Sequence, residues 1–278
     1  MKYAVASTLV LALSIAAGIA LTRRISAGKE YSPLKKILIT AAVSMALIAV
    51  GLFAYLEVYY HADSEVDEYL KSGSGVKVSE SKDAYFFDGP GSESAVVFYP
   101  GAKVEETAYA PLMFRLARQG TDCFLLKLPF RMAIFRPNAA DGIISSHGSD
   151  YDHWYMMGHS LGGIVASEYN AKNPGKTDGT ILLASYPNRP VPDSERMLSI
   201  YGTEDGCLSR QEYRDSRGFW PKSRSELIII GGNHSGFGYY GPQKGDGKAG
   251  ISRNDQQNRT IVKIRYFVDP ESGRSTPH

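Results

Sequence analysis

The sequence predicts an α/β domain, with a mostly parallel sheet and helices on both faces, preceded by a two-helix transmembrane hairpin. Two uncharged stretches of about 20 residues each stand near the N-terminus. From Val76 onward, short and almost continuously apolar runs alternate with segments of helical periodicity, a pattern typical of buried parallel strands covered by helices. With 43% hydrophobic and 22% charged residues, the composition is that of a globular protein and excludes a disordered chain.

The predicted N-terminal membrane region comprises residues 1–61. Within it, residues 3–21 and residues 37–56 carry no charged side chain, and about 20 apolar residues are enough for a helix to cross the hydrocarbon core. Because lipid offers no partner to backbone polar groups, both stretches are expected to be helical. Two alternatives stay open, namely a cleaved signal peptide for the first stretch and a buried core helix for the second.

The loop between these stretches predicts the orientation of the hairpin. Residues 22–36 contain five Lys or Arg residues, whereas a single lysine precedes the first stretch and the segment after Leu56 is acidic. Short loops rich in Lys and Arg stay in the cytoplasm. We therefore expect a multi-pass protein of the cell membrane whose remaining chain is extracytoplasmic.

A juxtamembrane linker is predicted at residues 62–75, because this acidic stretch ends in Ser-Gly-Ser-Gly, which is typical of flexible linkers. The α/β domain is then predicted over residues 76–278. Its elements are expected in the following order: strand 95–99, helix 107–119, strands 123–128 and 153–157, helix 161–172, strands 180–184, 197–201 and 227–230, and helix 256–268.

Charge and cysteine content exclude several classes of protein. The net charge of +2 is too balanced for a general nucleic-acid binder. Two distant cysteines, Cys123 and Cys207, cannot build a disulfide scaffold or a four-ligand zinc site. The Gly-rich run at residues 241–247 does not follow a predicted strand and matches no phosphate-binding loop. We therefore expect no nucleic acid, no metal and no cofactor.

One pentapeptide carries the strongest chemical signal. Residues 158–162 read Gly-His-Ser-Leu-Gly, which fits the G-x-S-x-G nucleophile elbow, a tight strand-to-helix turn that exposes a serine hydroxyl. An apolar strand precedes the motif and a helical stretch follows it, as the elbow requires. Ser160 is therefore the predicted nucleophile.

The partners of such a serine follow it in the order acid and then histidine. His234 comes directly after the predicted strand 227–230, whereas His278 lies in a Ser/Pro-rich tail, so His234 is the predicted base. Both Glu204 and Asp205 follow the strand 197–201. Asp205 is the preferred orienting acid, because Gly206 gives the chain freedom to point this side chain back, and Glu204 stays open as the alternative.

A hydrolytic serine also needs backbone N–H groups to hold a developing oxyanion. In proteins with such an elbow, the residue after the nucleophile, here Leu161, supplies one of them, and a loop after an earlier strand of the sheet supplies the other. Residues 100–103 are the predicted loop, with Ala102 as the donor. The alternative is that Gly101 merely ends the strand.

Together the runs at residues 99–103, 158–163, 201–205 and 231–234 resemble those of the α/β-hydrolase superfamily, and most of all its small lidless group related to dienelactone hydrolases. The resemblance covers residues 95–268 and implies an α/β-hydrolase fold. Dienelactone hydrolases have a cysteine at the position of Ser160, so the resemblance does not imply their ring-opening reaction. The short stretch between Ala184 and Met197 leaves no room for a large lid and predicts an open site.

These features predict a membrane-anchored serine hydrolase of the carboxylesterase type that cleaves an ester, thioester or activated amide through Ser160, His234 and Asp205. Its substrate is expected to be a small-molecule or lipid-like acyl compound. Lys127, Arg131 and Gln243 are candidates for the substrate rim. Two alternatives share the same sequence features, an acyltransferase with the same triad and an inactive, membrane-displayed binding domain.

Overall fold

The computed structural model describes residues 2–27, 30–91 and 93–269, and the chain divides into two compact units, Met1–Val58 and Tyr59–His278. Two helices form the first unit, α1 (Lys2–Ile25) and α2 (Pro33–Glu57). The Ser32 hydroxyl caps α2 by accepting a hydrogen bond from the backbone N–H of Lys35, which satisfies one of the donors left unpaired at a helix start.

The helices of the first unit pack closely against each other. A Cβ atom on Gly18 of α1 would lie 2.1 Å from Ser44 Oγ of α2, and the Thr40 hydroxyl donates a hydrogen bond to the Thr22 hydroxyl at 3.1 Å. Small residues allow helix backbones to approach in this way. Within the described residues, one helix, Pro33–Glu57, has the length and composition needed to cross a membrane, so the hairpin of two spans stays a prediction.

The second unit is built on an eight-stranded sheet. Its strands are β1 (Lys77–Glu80), β2 (Ala84–Asp88), β3 (Ser94–Tyr99), β4 (Asp122–Leu126), β5 (His153–His159), β6 (Gly179–Leu183), β7 (Arg196–Gly202) and β8 (Ser223–Ile229). They lie in the order β1-β2-β4-β3-β5-β6-β7-β8. Strands β3 to β8 are parallel, whereas β1 and β2 pair antiparallel. The predicted mostly parallel sheet is confirmed. Strands β1 and β2 were not predicted from the sequence, because they are short and only partly buried.

Helices cover both faces of this sheet, as predicted. They are α3 (Ala110–Ala117), α4 (Ala140–His147), α5 (Leu161–Lys172), α6 (Arg210–Asp215) and α7 (Arg253–Val268). Side chains of β3 alternate between the two layers: Val96 and Phe98 pack with α3 and α7, while Val97 and Tyr99 pack with α4 and α5. All four are fully buried, since a central parallel strand meets apolar partners on both sides.

The segment before β1 differs from the expected flexible linker. Residues 59–75 belong to the second unit. Val66 lies in a short 3₁₀ turn with only 3% of its surface exposed, and the Tyr69 ring meets the Phe114 ring edge-on at 5.6 Å. The acidic composition predicted a solvated stretch, but these apolar side chains fasten the segment to the core of the sheet unit.

The carboxyl ends of the parallel strands all meet at one edge of the sheet, where open α/β sheets place their binding sites. The loops after β3, β5, β7 and β8 carry the residues that the sequence analysis selected.

Candidate active site

Ser160 lies in the turn between β5 and α5 with φ 53° and ψ −125°. A residue with a side chain rarely adopts this conformation, which costs about 1–3 kcal/mol and persists only where the surroundings enforce it. Two hydrogen bonds hold the turn here. The Ser160 N–H donates to the Leu183 carbonyl at 2.9 Å, and the Ser160 carbonyl accepts from the Ser185 hydroxyl at 2.7 Å.

Crowded backbone explains the glycines on either side of Ser160. A Cβ on Gly158 would lie 2.4 Å from the carbonyl carbon of Gly162, and a Cβ on Gly162 would lie 2.2 Å from the Tyr99 carbonyl oxygen. Neither distance leaves room for a side chain. The pentapeptide thus forms the strained strand-to-helix turn that its sequence indicates.

His234 and Asp205 form a buried pair at the same edge of the sheet. His234 Nδ1 lies 3.0 Å from Asp205 Oδ2 and 3.1 Å from Oδ1, and their side chains are 2% and 0% exposed. Asp205 Oδ1 also accepts hydrogen bonds from the backbone N–H groups of Cys207 at 2.9 Å and Leu208 at 2.8 Å. These donors fix the carboxylate in the orientation that meets the imidazole.

Glu204, the acid that the sequence left open, has a different environment. Its Oε1 accepts a hydrogen bond from the Thr203 hydroxyl at 3.0 Å, and the residue is exposed to solvent. The structure therefore brings Asp205 rather than Glu204 to His234.

The other ring nitrogen of His234, Nε2, is buried and makes no hydrogen bond to any residue that the structure describes. Ser160 and His234 both line a cleft of about 190 Å³. The Ser160 hydroxyl does not bond to Nε2 in this structure, and such bonds are commonly long until a substrate is present.

Two backbone N–H groups, those of Leu161 and Ala102, are the predicted donors to an oxyanion. Leu161 is the first residue of α5, so its N–H has no acceptor within the helix. In the loop after β3, the Gly101 N–H donates to the Tyr109 hydroxyl at 3.2 Å and the Lys103 N–H donates to the Arg131 carbonyl at 2.9 Å. Between them, the Ala102 N–H has no acceptor within the described ranges of the chain.

The sequence analysis missed a buried pair, Tyr109 and His159, that links the elbow to this loop. The Tyr109 hydroxyl is hydrogen-bonded to His159 Nδ1 at 2.8 Å and accepts the Gly101 N–H at 3.2 Å. Burial, together with the neighbouring His234 ring, holds the pKa of His159 well below its usual range, so this ring is neutral. The position of His159 inside the G-x-S-x-G motif was the available signal.

Asp246 is a second residue that the sequence analysis missed, in the Gly-rich run 241–247. Its Oδ1 accepts from the backbone N–H of His234 at 3.0 Å and of Gly206 at 3.3 Å, and its Oδ2 accepts from the Ser235 N–H and hydroxyl, each at 2.9 Å. Burial alone would raise the pKa of Asp246, but these hydrogen bonds bring it below its usual range.

Gly206 has a structural role that differs from the expected one. Its φ does not lie in the left-handed region, so conformational freedom is not what the position requires. A Cβ there would lie 2.4 Å from the Gly245 carbonyl oxygen, which means that Gly206 lets the run containing Asp246 approach the Asp205 loop.

The cleft beside Ser160 mixes apolar and polar side chains. Its lining residues are Ser160, Leu161, Ile164, Ala184, Ser185, Tyr186, Cys207, Leu208, Ser209, Glu212 and His234. Residues between Ala184 and Glu195 form no helix or strand, so no helical lid lies there. Burial raises the pKa of the Cys207 thiol to about 11, which keeps it protonated and a poor nucleophile.

The three residues proposed for the substrate rim lie outside this lining set. Lys127 pairs with Glu80 at the end of β1. The Arg131 guanidinium stacks on the Tyr59 ring at 3.6 Å, and Gln243 Oε1 accepts a hydrogen bond from the Tyr240 hydroxyl at 3.0 Å. Lys127 and Arg131 were predicted there because they follow a strand, and Gln243 because its run follows His234 closely. Their place at a substrate rim stays a prediction.

A family model described as alpha/beta hydrolase family matches residues 95–258. The chain belongs to this family. Membership agrees with the elbow, the sheet order and the position of the cleft, and it supports a hydrolase activity. The more specific relation to dienelactone hydrolases stays a prediction.

Two solved structures share this alpha/beta hydrolase fold. One is TT1662 from Thermus thermophilus, with 11% identity, coverage of 70% of this chain and 98% of that chain, and a TM-score of 0.52. The other is a soluble variant of monoglyceride lipase from Saccharomyces cerevisiae in complex with a substrate analog, with 10% identity, coverage of 75% and 97%, and a TM-score of 0.53. At such low identity the likeness shows the fold alone. No curated protein matches the sequence.

Proposed function

We propose that this protein is a membrane-anchored serine hydrolase that cleaves an ester, thioester or activated amide. One observation carries the proposal: Asp205 holds His234 through Nδ1, while His234 Nε2 is buried without a partner among the described residues, and His234 lines the cleft that Ser160 also lines. An imidazole bound on one nitrogen and free on the other is arranged to take a proton from a neighbouring hydroxyl.

The reaction follows from these positions. Ser160 Oγ attacks the acyl carbon while His234 Nε2 takes its proton, and the Asp205 carboxylate stabilises the imidazolium. The Leu161 and Ala102 N–H groups hold the oxyanion of the tetrahedral intermediate. This intermediate collapses to an acyl-serine as Nε2 returns the proton to the leaving group. Water then attacks the acyl-serine by the same route, which releases the acid and restores the hydroxyl.

Membrane anchoring is the second part of the proposal. The length and composition of α2 suit a membrane span, and α1 packs against it with small residues at the contact. We infer that both helices span the bilayer as a hairpin. The five basic residues at positions 22–36 favour a cytoplasmic loop and an extracytoplasmic hydrolase unit.

Labelling of the full-length protein by a fluorophosphonate tests the catalytic proposal directly, since this reagent reacts with activated serines. Wild type should be labelled, and Ser160→Ala should lose both labelling and at least about 10³-fold in kcat toward short esters. The matched control is Ser194→Ala, which removes an exposed hydroxyl before β7. A wild-type protein that is neither labelled nor active would favour a non-catalytic binding domain.

A further inference from the structure

We propose that the loop after β4, residues 129–136, docks into the surface of the bilayer that α2 spans, and that the hydrolase draws an amphiphilic acyl ester from this bilayer. The inference rests on the membrane anchoring of the proposed function. It adds a docking surface and a substrate class to the site.

The chain that follows α2 is hydrogen-bonded to the loop that carries Ala102. The Tyr60 N–H donates to the Lys103 carbonyl at 2.7 Å, and the Glu105 N–H donates to the Tyr60 carbonyl at 2.9 Å, so Tyr60 and Val104 form a parallel bridge. The first residues after the membrane helix therefore act as a short strand beside the candidate oxyanion loop.

Covalent geometry limits the distance between this loop and the membrane. Helix α2 ends at Glu57, and three residues of extended chain reach at most about 11 Å. Tyr60 can therefore lie no farther than that from the end of the helix. If α2 spans the bilayer, the hydrogen bond between Tyr60 and Lys103 ties the loop of Ala102 to a chain that leaves the membrane helix only three residues earlier.

The loop after β4 adjoins the same segment. The Arg131 carbonyl accepts the Lys103 N–H at 2.9 Å, and the Arg131 guanidinium stacks on the Tyr59 ring at 3.6 Å. Phe130 and Arg131 both have positive φ, 53° and 54°, although residues with side chains rarely adopt this region. The strained turn is thus fixed directly beside the chain that enters from α2.

This loop presents apolar side chains to its surroundings. Ile134 and Phe135 are each 50% exposed, and the Phe135 ring meets the Phe130 ring edge-on at 5.7 Å. Large apolar side chains insert about 5–10 Å into the boundary between headgroups and acyl chains. Side chains that are exposed in this way, on a loop beside the chain that enters from α2, are available for such insertion.

The neighbouring aromatic and basic groups suit a membrane surface. Tyr59 follows the helix end by two residues, and tyrosine rings are enriched at the membrane interface. An arginine stacked on a tyrosine keeps its charge at headgroup level while its stem lies along apolar surface. The cleft opens at the same edge of the sheet and is lined in part by Leu161, Ile164 and Leu208, which suit the acyl chain of an amphiphile.

Collisional quenching tests the docking without reference to activity. The full-length protein is labelled with an NBD fluorophore through Phe135→Cys, with Cys123 and Cys207 replaced by alanine, and reconstituted into phosphatidylcholine vesicles containing some phosphatidylglycerol. Phosphatidylcholine with a doxyl group on its acyl chain should quench this fluorophore. The matched control is Tyr266→Cys, a 51% exposed aromatic position at the opposite edge of the sheet, where quenching should be weak. Equal quenching at the two positions would overturn the proposal.

Activity toward a water-soluble ester and toward a bilayer-embedded ester tests whether docking supplies substrate from the bilayer. The double variant Ile134→Ser/Phe135→Ser should keep turnover of a short, water-soluble ester within about twofold of wild type, but lose about tenfold in kcat/KM toward a long-chain ester embedded in the vesicles. The control variant Val262→Ser/Tyr266→Ser, at positions 50% and 51% exposed, should change neither.

The quenching experiment and the activity experiment together distinguish failure of this inference from failure of the proposed function. A wild-type protein that cleaves no ester would contradict the hydrolase, yet selective quenching at position 135 would still support docking. An active wild type whose double variant loses both substrates equally, or neither, would contradict the supply of substrate from the bilayer.

Discussion

The Asp246 carboxylate accepts a hydrogen bond from the backbone N–H of His234 at 3.0 Å. The same oxygen accepts the Gly206 N–H at 3.3 Å. One carboxylate thus binds the histidine loop after β8 and the acid loop after β7, and the hydrogen bond between His234 and Asp205 depends on the relative position of these two loops.

Replacement of this carboxylate should disturb positioning without removing a reacting group. Asp246→Asn places an amide NH₂ against one set of donors, either the Ser235 N–H and hydroxyl or the N–H groups of His234 and Gly206. We expect kcat to fall about tenfold with KM little changed, and the free energy of unfolding to fall by about 1–3 kcal/mol. Because the pKa of Asp246 is lowered in the folded state, its contribution to stability should vanish as the pH falls below about 4.

Steady-state kinetics and urea unfolding across this pH range check the Asp246 prediction. Asp193→Asn is the control, since Asp193 is an exposed aspartate that also accepts a backbone hydrogen bond, from Lys222. An Asp246→Asn protein with unchanged kcat would show that the loops hold their positions without this carboxylate.

Asp205→Asn should reverse the tautomer of His234. The remaining carbonyl oxygen is expected to keep the Cys207 and Leu208 N–H groups, which turns the new NH₂ toward His234 Nδ1. Nδ1 then accepts and Nε2 carries the proton, so Nε2 cannot take one from Ser160. We expect kcat to fall by about 10³-fold or more with the fold intact, whereas Glu204→Gln should be mild. A larger loss for Glu204→Gln would show that the assignment of the acid is wrong.

Glu195 should make stability depend on pH. The residue is 1% exposed, and Asn170 is the side chain that offers its carboxyl a hydrogen bond. Burial raises the pKa of Glu195 to about 7. The folded state therefore retains a proton that the unfolded chain releases above pH of about 4.5, so the stabilisation is complete below that pH and is lost as the pH rises toward about 7.

Glu195→Gln should remove this dependence. The wild type is expected to lose up to about 3 kcal/mol of unfolding free energy between pH values of about 5 and 8, and the variant should be the more stable protein at the upper value. Fluorescence of Trp154 and Trp220, both in the sheet unit, reports urea unfolding. Glu93→Gln, at an exposed position, is the control. Equal slopes for wild type and Glu195→Gln would contradict the prediction.

The first residues of the sheet unit should be needed for its stability and activity. A chain that begins at Tyr59 keeps the bridge between Tyr60 and Val104 and the buried side chain of Val66, whereas a chain that begins at Val76 loses both. We expect the shorter chain to be less stable by at least about 2 kcal/mol and to lose kcat through the loop that carries Ala102. Thermal unfolding and ester turnover of the two chains compare them. Equal values would show that residues 59–75 only link the two units.

Membrane topology can be tested by cysteine labelling in intact cells. Single cysteines at Ala27 and Ser74, both exposed, are introduced into a chain without Cys123 and Cys207. Since basic residues at positions 22–36 keep their loop in the cytoplasm, an impermeant maleimide should reach position 74 and not position 27. Permeabilised cells provide the control in which both positions react. Labelling of position 27 alone in intact cells would place the hydrolase unit in the cytoplasm.

Candidate residues next to strand ends were predictable from the chain itself. Ser160 and His234 each follow an apolar run directly, and the carboxyl ends of parallel strands converge at one edge, so the pattern that predicts the strands also predicts their proximity. The choice between Glu204 and Asp205 was not predictable, because both follow β7 and only the N–H groups of Cys207 and Leu208 decide which carboxylate turns inward.

The sequence by itself determined three features: an apolar N-terminal region, a parallel sheet with helices on both faces, and an elbow whose glycines admit no side chain. These are properties of residues close together in the chain. Tertiary structure alone decided that Asp246 joins two loops, that Tyr109 contacts His159, and that Tyr60 bridges the loop of Ala102. These contacts connect residues 12 to 50 positions apart, and no local pattern encodes them, because each arises only when the sheet brings its loops to a common edge.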